Sequence, residues 1–473
     1  MHSETGLARL AASERRERKR LSDSEGSGVK RASMEKVDKV VVVGVEEVAG
    51  VGEPGVRSLS TAPEGYTGAC PNYRQPAELG CFSLDSQRTF HDDGRLLRYF
   101  APPRGGDDPR ETPGVETNGG AGAATAGDCR TGDPAIGGRS RGWQGPIDLD
   151  VGWSVPGAYI QMDAQRAERL DHIVSWLSRH RSRFALPGQA ASLPLPSLNT
   201  DFVTWRGHLT KVLGTPYERR EGWQLAATLF RGTRYMSEVE TEAARREREM
   251  RSLRQKQMCY WGYKFEQYMT ADRPGGEPDV SRPVNTNEGF CTVVRTRLAG
   301  HSLVFAGEVD CRAGERPPPS SYVELKTSRE VVTPGQRFTL HRFKLMKWWA
   351  QSFLIGVPRI VVGFRDDSGH VQHLQTYETL KIPKMVGSEE KMWNAAVSLN
   401  FCEAFLSFLK EVVTRDDPKV VYLFSWEPGA DVTYRVYENS EQTFLPDWYI
   451  EQFRDLPKPG MMEQSTAPDS PIV

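Results

Sequence analysis

The chain has 473 residues, a formal net charge of −1 and only 38% hydrophobic residues, so no global field draws it to nucleic acid or to a membrane. Its 44 Gly are densest in two stretches, while 11 Trp and 19 Phe fall almost entirely after residue 140, which suits one large domain of roughly 300 residues better than several small ones. Seven cysteines without a CxxC pair read as reduced thiols, no run of 18 apolar residues is present to predict a membrane span, and the start lacks the apolar stretch of a secretory signal.

Residues 1–65 read as a disordered tail. It holds Arg15-Arg16-Glu17-Arg18-Lys19-Arg20 and Lys30-Arg31, a basic cluster that suits nuclear import, with a solvated charge run as the plain alternative. Gly50-Val51-Gly52-Glu53-Pro54-Gly55 matches a dinucleotide fingerprint, but Pro54 and the segment after it open no helix to hold a pyrophosphate, so it reads as a Gly-rich linker. From 66 to 458 one domain is expected, interrupted at 102–146 by a Gly/Pro/Ala/Thr-rich disordered insertion, with 459–473 a second tail. Leu170, Ile173, Val174 and Leu177 predict a helix near 163–184, and Phe202, Trp205, Leu209, Val212 and Leu213 another near 200–213. Residues 237–270 read as helical, first charged (Arg245 to Arg254, a solvated face with i,i+4 pairs) and then aromatic. The period then falls to two, predicting strands at Gly289–Leu298, Leu303–Cys311 and Ser321–Ser328. A helix from Pro334-Gly335 to Leu354 follows, then a hairpin (Ile360–Arg365, Val371–Thr376), a helix near 393–413 and strands Val420–Trp426 and Val432–Glu438. Elements that alternate without strict βαβ regularity imply an α/β (α+β) fold of mixed, twisted sheets flanked by helices.

Period-two alternation puts Glu308 and Asp310 on one face of a strand, and Glu324 and Lys326 on one face of the next, with Val309, Val323 and Leu325 turned away. Antiparallel pairing of these strands through the proline-containing connection 312–320 would bring three carboxylates and one ammonium together. Such a cluster is electrostatically poor until a divalent cation joins it, and hard oxygen ligands select Mg²⁺ or Mn²⁺. One or two such ions suit hydrolysis of a phosphate diester, with Lys326 orienting water or neutralising the phosphate. The D…E-x-K spacing has the form used by a large class of metal-dependent nucleases, although strand pairs bearing such residues also occur as solvent faces.

Six separated blocks extend this reading: Glu78-Leu-Gly-Cys-Phe-Ser-Leu-Asp85, Val203-Thr-Trp-Arg-Gly-His-Leu-Thr210, Trp261-Gly-Tyr-Lys-Phe-Glu-Gln-Tyr268, Gly307-Glu-Val-Asp-Cys311, Tyr322-Val-Glu-Leu-Lys-Thr-Ser328 and Lys347-Trp-Trp-Ala-Gln-Ser-Phe353. In this order they closely resemble the decapping exoribonuclease (DXO) family, whose fungal relatives bind a nuclear 5′→3′ exoribonuclease. The resemblance implies an RNA 5′-end quality-control hydrolase that uses two Mg²⁺, with Mn²⁺ as a substitute. It implies removal of incomplete guanosine caps, NAD- and FAD-type caps and 5′ triphosphates, then 5′→3′ degradation, in the nucleus, with a nuclear exoribonuclease as a possible protein partner. It carries metal ligation to Glu266, Glu308, Asp310, Glu324 and the Leu325 carbonyl. Contact with the RNA 5′ end and scissile phosphate is carried to Trp205, Arg206, Gly207, Glu308, Lys326 and Gln351, and peripheral contact to Arg88, Glu168 and Cys291.

Read without the resemblance, Glu266 on an aromatic helix needs a partner to be buried, and Arg206 suits a phosphate clamp but also a snorkelling arginine. Gln351 reads as a buried amide and Cys291 as a core cysteine. His370 and His373 lie three apart on a strand and point to opposite faces, and Ser328 has no His/Asp partner pattern. No basic-aromatic ribbon for single strands is evident, which places the RNA in a cleft. Two other readings stay open: a DNA nuclease of the D…E-x-K class, and a non-catalytic stabilising partner of another exoribonuclease.

Overall fold

Runs of Val, Phe and Tyr at alternate positions do form strands, but they divide between two sheets. A computed structural model describes residues 57–103, 146–163, 165–185, 195–387 and 391–456. The first sheet has nine strands in the order Thr433–Glu438, Val420–Trp426, Trp223–Phe230, Thr233–Val239, Phe202–Trp205, His301–Glu308, Gly289–Leu298, Ala77–Leu84 and Phe90–His91. The second has seven: Ile147–Asp148, His370–Glu378, Arg359–Arg365, Tyr322–Arg329, Cys311–Arg312, Tyr99–Phe100 and Thr270–Ala271. His301–Glu308 runs parallel to Phe202–Trp205 and antiparallel to Gly289–Leu298, and Tyr322–Arg329 runs parallel to Arg359–Arg365, so the sheets are mixed as expected.

Alternation sorts each strand's side chains into different cores. Leu303 and Phe305 join the largest cluster with Ile360, Val362 and Phe364 of the other sheet and with the Arg206–Gly214, Leu345–Ile355 and Ala395–Val412 helices. Val304 and Ala306 face the Asp171–Arg179 helix, whereas Val323 and Leu325 face Trp261 and Phe265 of Leu253–Met269. The last contact is tight. A Cβ built on Gly363 would lie 2.6 Å from Phe265 Cε2 and 2.9 Å from Cζ, and Phe265 precedes Glu266 on that helix. Gly363→Ala is expected to cost about 1–3 kcal/mol by overpacking. Its urea midpoint should fall accordingly, and an unchanged midpoint would mean that the ring can move aside.

Several expected elements shift. Leu170, Ile173, Val174 and Leu177 are buried, but the helix begins only at Asp171, because the chain turns through Arg169 with φ at 43°. The expected helix at 200–213 is a strand, Phe202–Trp205, followed by a helix, Arg206–Gly214. Aromatic and β-branched residues at 202–205 happen to continue the helical spacing across the junction. The hairpin Trp223–Phe230/Thr233–Val239, turned at Arg231 and Gly232 with positive φ, is absent from the sequence reading. Its first strand is buried almost throughout and shows no alternation. Residues 237–239 therefore belong to a strand, and the helical stretch after them breaks at 250–252, where Ser252 and Gln255 form a capping box. Arg245 and Arg246 pair with Glu242, and Arg248 with Glu240, as a solvated face would. The fold also begins before residue 66: Leu59 exchanges two backbone hydrogen bonds with Val432. The basic cluster, the Gly50–Gly55 match and most of the 102–146 insertion lie outside the described residues. Among the described residues no helix is long and apolar enough to cross a membrane.

Candidate active site

The expected antiparallel pairing of the two motif strands is reduced to a two-residue fragment beyond the carboxylates. Glu308 ends its strand in the nine-stranded sheet, where its Cα partner is Cys291, and the chain then leaves through Val309-Asp310 to enter the seven-stranded sheet at Cys311. Only Cys311 and Arg312 pair with the second motif strand, at Val323 and Tyr322. Val309 accordingly buries in a different cluster from Val323 and Leu325. The carboxylates converge because the chain crosses between sheets here, and the Leu325 amide fastens the crossing by donating to Asp310 Oδ2 at 2.6 Å.

Glu324 and Lys326 do share a face, as alternation requires: Lys326 Nζ lies 2.5 Å from Glu324 Oε1. Glu324 is only 2% exposed, and Arg206 Nη1 stands 3.6 Å from its Oε2, beyond hydrogen-bond reach. Glu324 Oε2, Arg206 Nε and Arg206 Nη1 are all buried without a hydrogen-bond partner. Glu266, from the Leu253–Met269 helix, lines a cavity of about 340 Å³ together with Glu308, Asp310, Tyr263, Arg98 and Arg282. Tyr263, three residues before Glu266, escaped the sequence reading although i,i+3 spacing puts both on one helix face. Arg98 and Arg282, which carry no motif, escaped it as well.

Four carboxyls face three cations, Lys326, Arg206 and Arg88, and their protonation reflects that imbalance. Burial, then Asp310 and Glu308, push the Glu266 carboxyl well above the usual range. Burial raises Glu308 too, with Arg88 and Arg206 pulling the other way. Burial and Glu324 lift Asp310 to about 7. Burial also works against ionised Glu324, yet Lys326 and Arg206 hold it below its ordinary value. Burial alone would lower the Lys326 ammonium, but Glu324 and Asp310 outweigh it and hold it up.

Among the described residues no three His, Cys, Asp or Glu side chains already stand as a finished metal cage, because Asp310 is turned to the Leu325 amide and Glu324 to Lys326. The donor set nevertheless fits a hard divalent cation. It offers an excess of carboxylate oxygens, three carboxyls raised by desolvation first and by their neighbours second, and a buried Glu324 oxygen that nothing satisfies.

Around this centre, Arg206 and Gly207 occupy the first positions of a helix whose N-terminus no side chain caps, a ready anion site. Gly307 lets that helix approach: a Cβ there would lie 3.1 Å from Arg206 Cβ and from Ile355 Cγ2. Trp205 is tied through its Nε1 to the Arg169 carbonyl at 2.7 Å. Gln351 is half-buried on Leu345–Ile355, which packs against the Arg206–Gly214 helix. Arg88 grips Glu168 with two hydrogen bonds of 2.8 and 2.9 Å and donates to the Asn287 carbonyl. Cys291 is buried, and burial followed by Glu308 pushes its thiol up, so it offers surface rather than nucleophilicity. His370 pairs with Asp366, His373 bonds Glu330 and stacks on Phe364, and Ser328 accepts from Lys344, so none of the three joins the centre.

A family model described as "RAI1 like PD-(D/E)XK nuclease" matches residues 74–450. The human "Decapping and exoribonuclease protein" is 48% identical over 407 residues, covering 85% of this chain and 91% of the relative. A structure of S. pombe Rai1 in complex with 3′-FADP superposes with a TM-score of 0.58 at 25% identity, covering 81% of this chain and 100% of that one. Candida albicans Rai1 in complex with pU5-Mn2+ shares the fold at a TM-score of 0.65 and 21% identity, covering 85% and 100%. A D…E-x-K strand set at a crossing between two mixed sheets, matched by that family over most of its length, leaves one conclusion: the chain belongs to the RAI1-like PD-(D/E)XK nuclease family.

Proposed function

We propose that this chain is a metal-dependent hydrolase that acts on RNA 5′ ends. It removes incomplete guanosine caps, NAD- and FAD-type caps and 5′ triphosphates, and then degrades the 5′-monophosphate RNA 5′→3′. The observation that carries this reading is the gathering of four carboxyls at the sheet crossing beside Lys326, with buried Glu324 and Arg206 both left with unsatisfied polar atoms. The names of the relatives support the substrate: the human protein is a decapping exoribonuclease, and the fungal structures hold a flavin dinucleotide and a manganese-bound oligouridylate.

In this reading Glu266, Glu308, Asp310, Glu324 and the Leu325 carbonyl hold two Mg²⁺, which Mn²⁺ can replace. When bound, the ions make water acidic and spread charge off the phosphoryl oxygens. Arg206 and the free N–H groups of its helix bind the phosphate, with Gly207 leaving the approach open, since no atom lies within 4 Å of where its Cβ would stand. Lys326 neutralises the same phosphate and holds Glu324 ionised. Gln351 and Trp205 border the 5′ nucleotide, and the Arg88–Glu168 pair and Cys291 shape the wall behind Glu308. Cap removal and exonucleolysis use one centre because each is attack of water on phosphorus. A nuclear location belongs to the same proposal.

The test incubates the purified chain with triphosphate, unmethylated-cap, methylated-cap, NAD-capped and monophosphate RNAs, with Mg²⁺, with Mn²⁺ or with a chelator. Hydrolysis of all but the methylated cap, lost on chelation and restored by either metal, is the expected result. Preference for duplex DNA would move the chain to another substrate class. Activity that survives chelation, or that resides in a co-purifying nuclease, would overturn the assignment.

A further inference from the structure

The helix that carries Gln351 contains a π turn, Leu340–Lys344, between Pro334–Thr339 and Leu345–Ile355. Such turns are rare and gather at functional sites, since the extra residue rotates every side chain beyond it. Lys344, Lys347 and Gln351 follow at i, i+3 and i+7, along one helix face. Lys344 Nζ donates to Ser328 Oγ at 3.0 Å. Ser328 stands two residues past Lys326 on the same strand, hence on the same face and about 6.6 Å farther along it. A line therefore runs from Lys326 in the centre to Lys344 outside it.

Lys344 is half-buried, and among the described residues the one charged group that bears on it is another cation, Arg365. Among the described residues no carboxylate pairs with Lys344 or with the exposed Lys347, whereas Arg245, Arg246 and Arg248 farther away are all neutralised. An ammonium that gives up water for one hydroxyl, with no counter-ion, is a fixed site for an anion. Phe343 sits one helical turn before Lys347 and is 44% exposed, edge to face with the 40% exposed Phe338. The guanidinium of Arg220, on the loop that follows the Arg206–Gly214 helix, stands over the Phe343 ring at 5.8 Å. Exposed rings interleaved with unpaired cations are what single-stranded nucleic acid uses, bases on the rings and phosphates on the cations.

We propose that the Lys344–Lys347 face, continued by Phe343 and Arg220, is the track along which the single-stranded body of the RNA leaves the hydrolytic centre. Lys344 holds a phosphate neighbouring the scissile one, and Phe343 receives a base. This inference rests on the reading of the centre as an RNA hydrolase and adds where the rest of the strand lies.

Binding separates the two claims. Anisotropy in Ca²⁺ is measured with 5′-phosphorylated, 3′-labelled RNAs, a dinucleotide and a dodecanucleotide, across a salt series. The unaltered chain is expected to bind the longer RNA on the order of 10-fold more tightly, with a steeper salt slope. Lys344→Met with Lys347→Met should remove most of that advantage and lower the slope by about 1–2, while Lys344→Arg with Lys347→Arg retains both. Circular dichroism melts of both double variants show whether the fold is kept. A length advantage and salt slope unchanged in the Met variant would overturn the track, as would the absence of any length advantage in the unaltered chain. Failure of the unaltered chain to hydrolyse RNA, with the lysine-dependent length effect intact, would sink the hydrolase reading and leave the track standing.

Discussion

Asp310→Asn is expected to lower RNA hydrolysis by on the order of 10³-fold or more and, in the metal-free protein, to raise the melting temperature. Both effects have one origin. The carboxyl is lifted from 3.8 to about 7 by burial first and by Glu324 next, so its ionised form is held at a cost that a divalent cation offsets. Asn keeps an oxygen for the Leu325 amide but brings no charge, so the local fold is retained and the cation loses a ligand.

The sign follows from linkage. A group whose folded pKa lies above its unfolded value leaves the protein relatively more stable at low pH, and that advantage is lost as pH rises from about 4 through about 7. A shift of this size is worth at most about 4 kcal/mol, and less where the crowded carboxyls share protons. Asp85 and Glu168, both held near 2, act in the opposite direction below about pH 4, and buried His208, lowered to about 3, opposes the fall up to about pH 6.5. Metal-stripped Asp310→Asn should therefore gain in melting temperature on the wild type between about pH 5 and about pH 8, since His208 acts alike in both and cancels from the difference. Steady-state hydrolysis in Mg²⁺ reads the other half. Undiminished turnover, or a variant that melts below wild type at about pH 8, would remove Asp310 from the centre.

Much of the centre was legible because strands write their faces into the sequence. Glu324 and Lys326 share a face, Val323 and Leu325 oppose it, and both statements needed only a period of two. Which strands lie beside each other is a different kind of fact. Glu308 and Glu324 looked like neighbours on a hairpin, since a short, proline-containing connection can close one, but partners in a sheet are chosen by burial on both sides. Leu303 and Phe305 bury against one set of helices and Val304 and Ala306 against another, so their strand lies inside the nine-stranded sheet with no edge left for Tyr322–Arg329. Phe202–Trp205 was misread for a related reason: the i,i+3 spacing of Phe202 and Trp205 matches a helix, and only parallel partners at Leu303–Ala306 and Arg234–Tyr235 make it a strand. Glu266, Arg206 and Gln351 come from three separate helices and Arg88 from a loop, and no period links them. Resemblance proposed them as a set, and the fold brings Glu266 to the carboxylates, Arg206 to Glu324 and Arg88 toward Glu308. The Lys344 face was missed for another reason: Phe338, Phe343, Lys344 and Lys347 are close in sequence, but their spacing does not show which rings are exposed or which cations lack a carboxylate, and Arg220 joins them from a distant loop.

Lys326→Met should behave as the mirror image of Asp310→Asn in stability while sharing its loss of activity. Glu324 is 2% exposed, and among the described residues Lys326 is the only cation within hydrogen-bond distance of it. Met fills the volume of the lysine stem but leaves a buried carboxylate with Arg206 alone at 3.6 Å, facing three more carboxyls. Breaking such a pair from one side costs about 3 kcal/mol, because the surviving charge stays buried. The Glu324 carboxyl, now below its ordinary value, should rise, and hydrolysis should drop on the order of 10²–10³-fold as the phosphate loses its cation. A divalent cation supplies part of the missing positive charge, so Mg²⁺ should raise the urea midpoint of Lys326→Met more than that of wild type without returning its turnover. Equal Mg²⁺ responses in the two proteins would mean that the ion sits too far from Glu324 to feel the lysine, and the ligand set would then have to be redrawn around Glu266, Glu308 and Asp310.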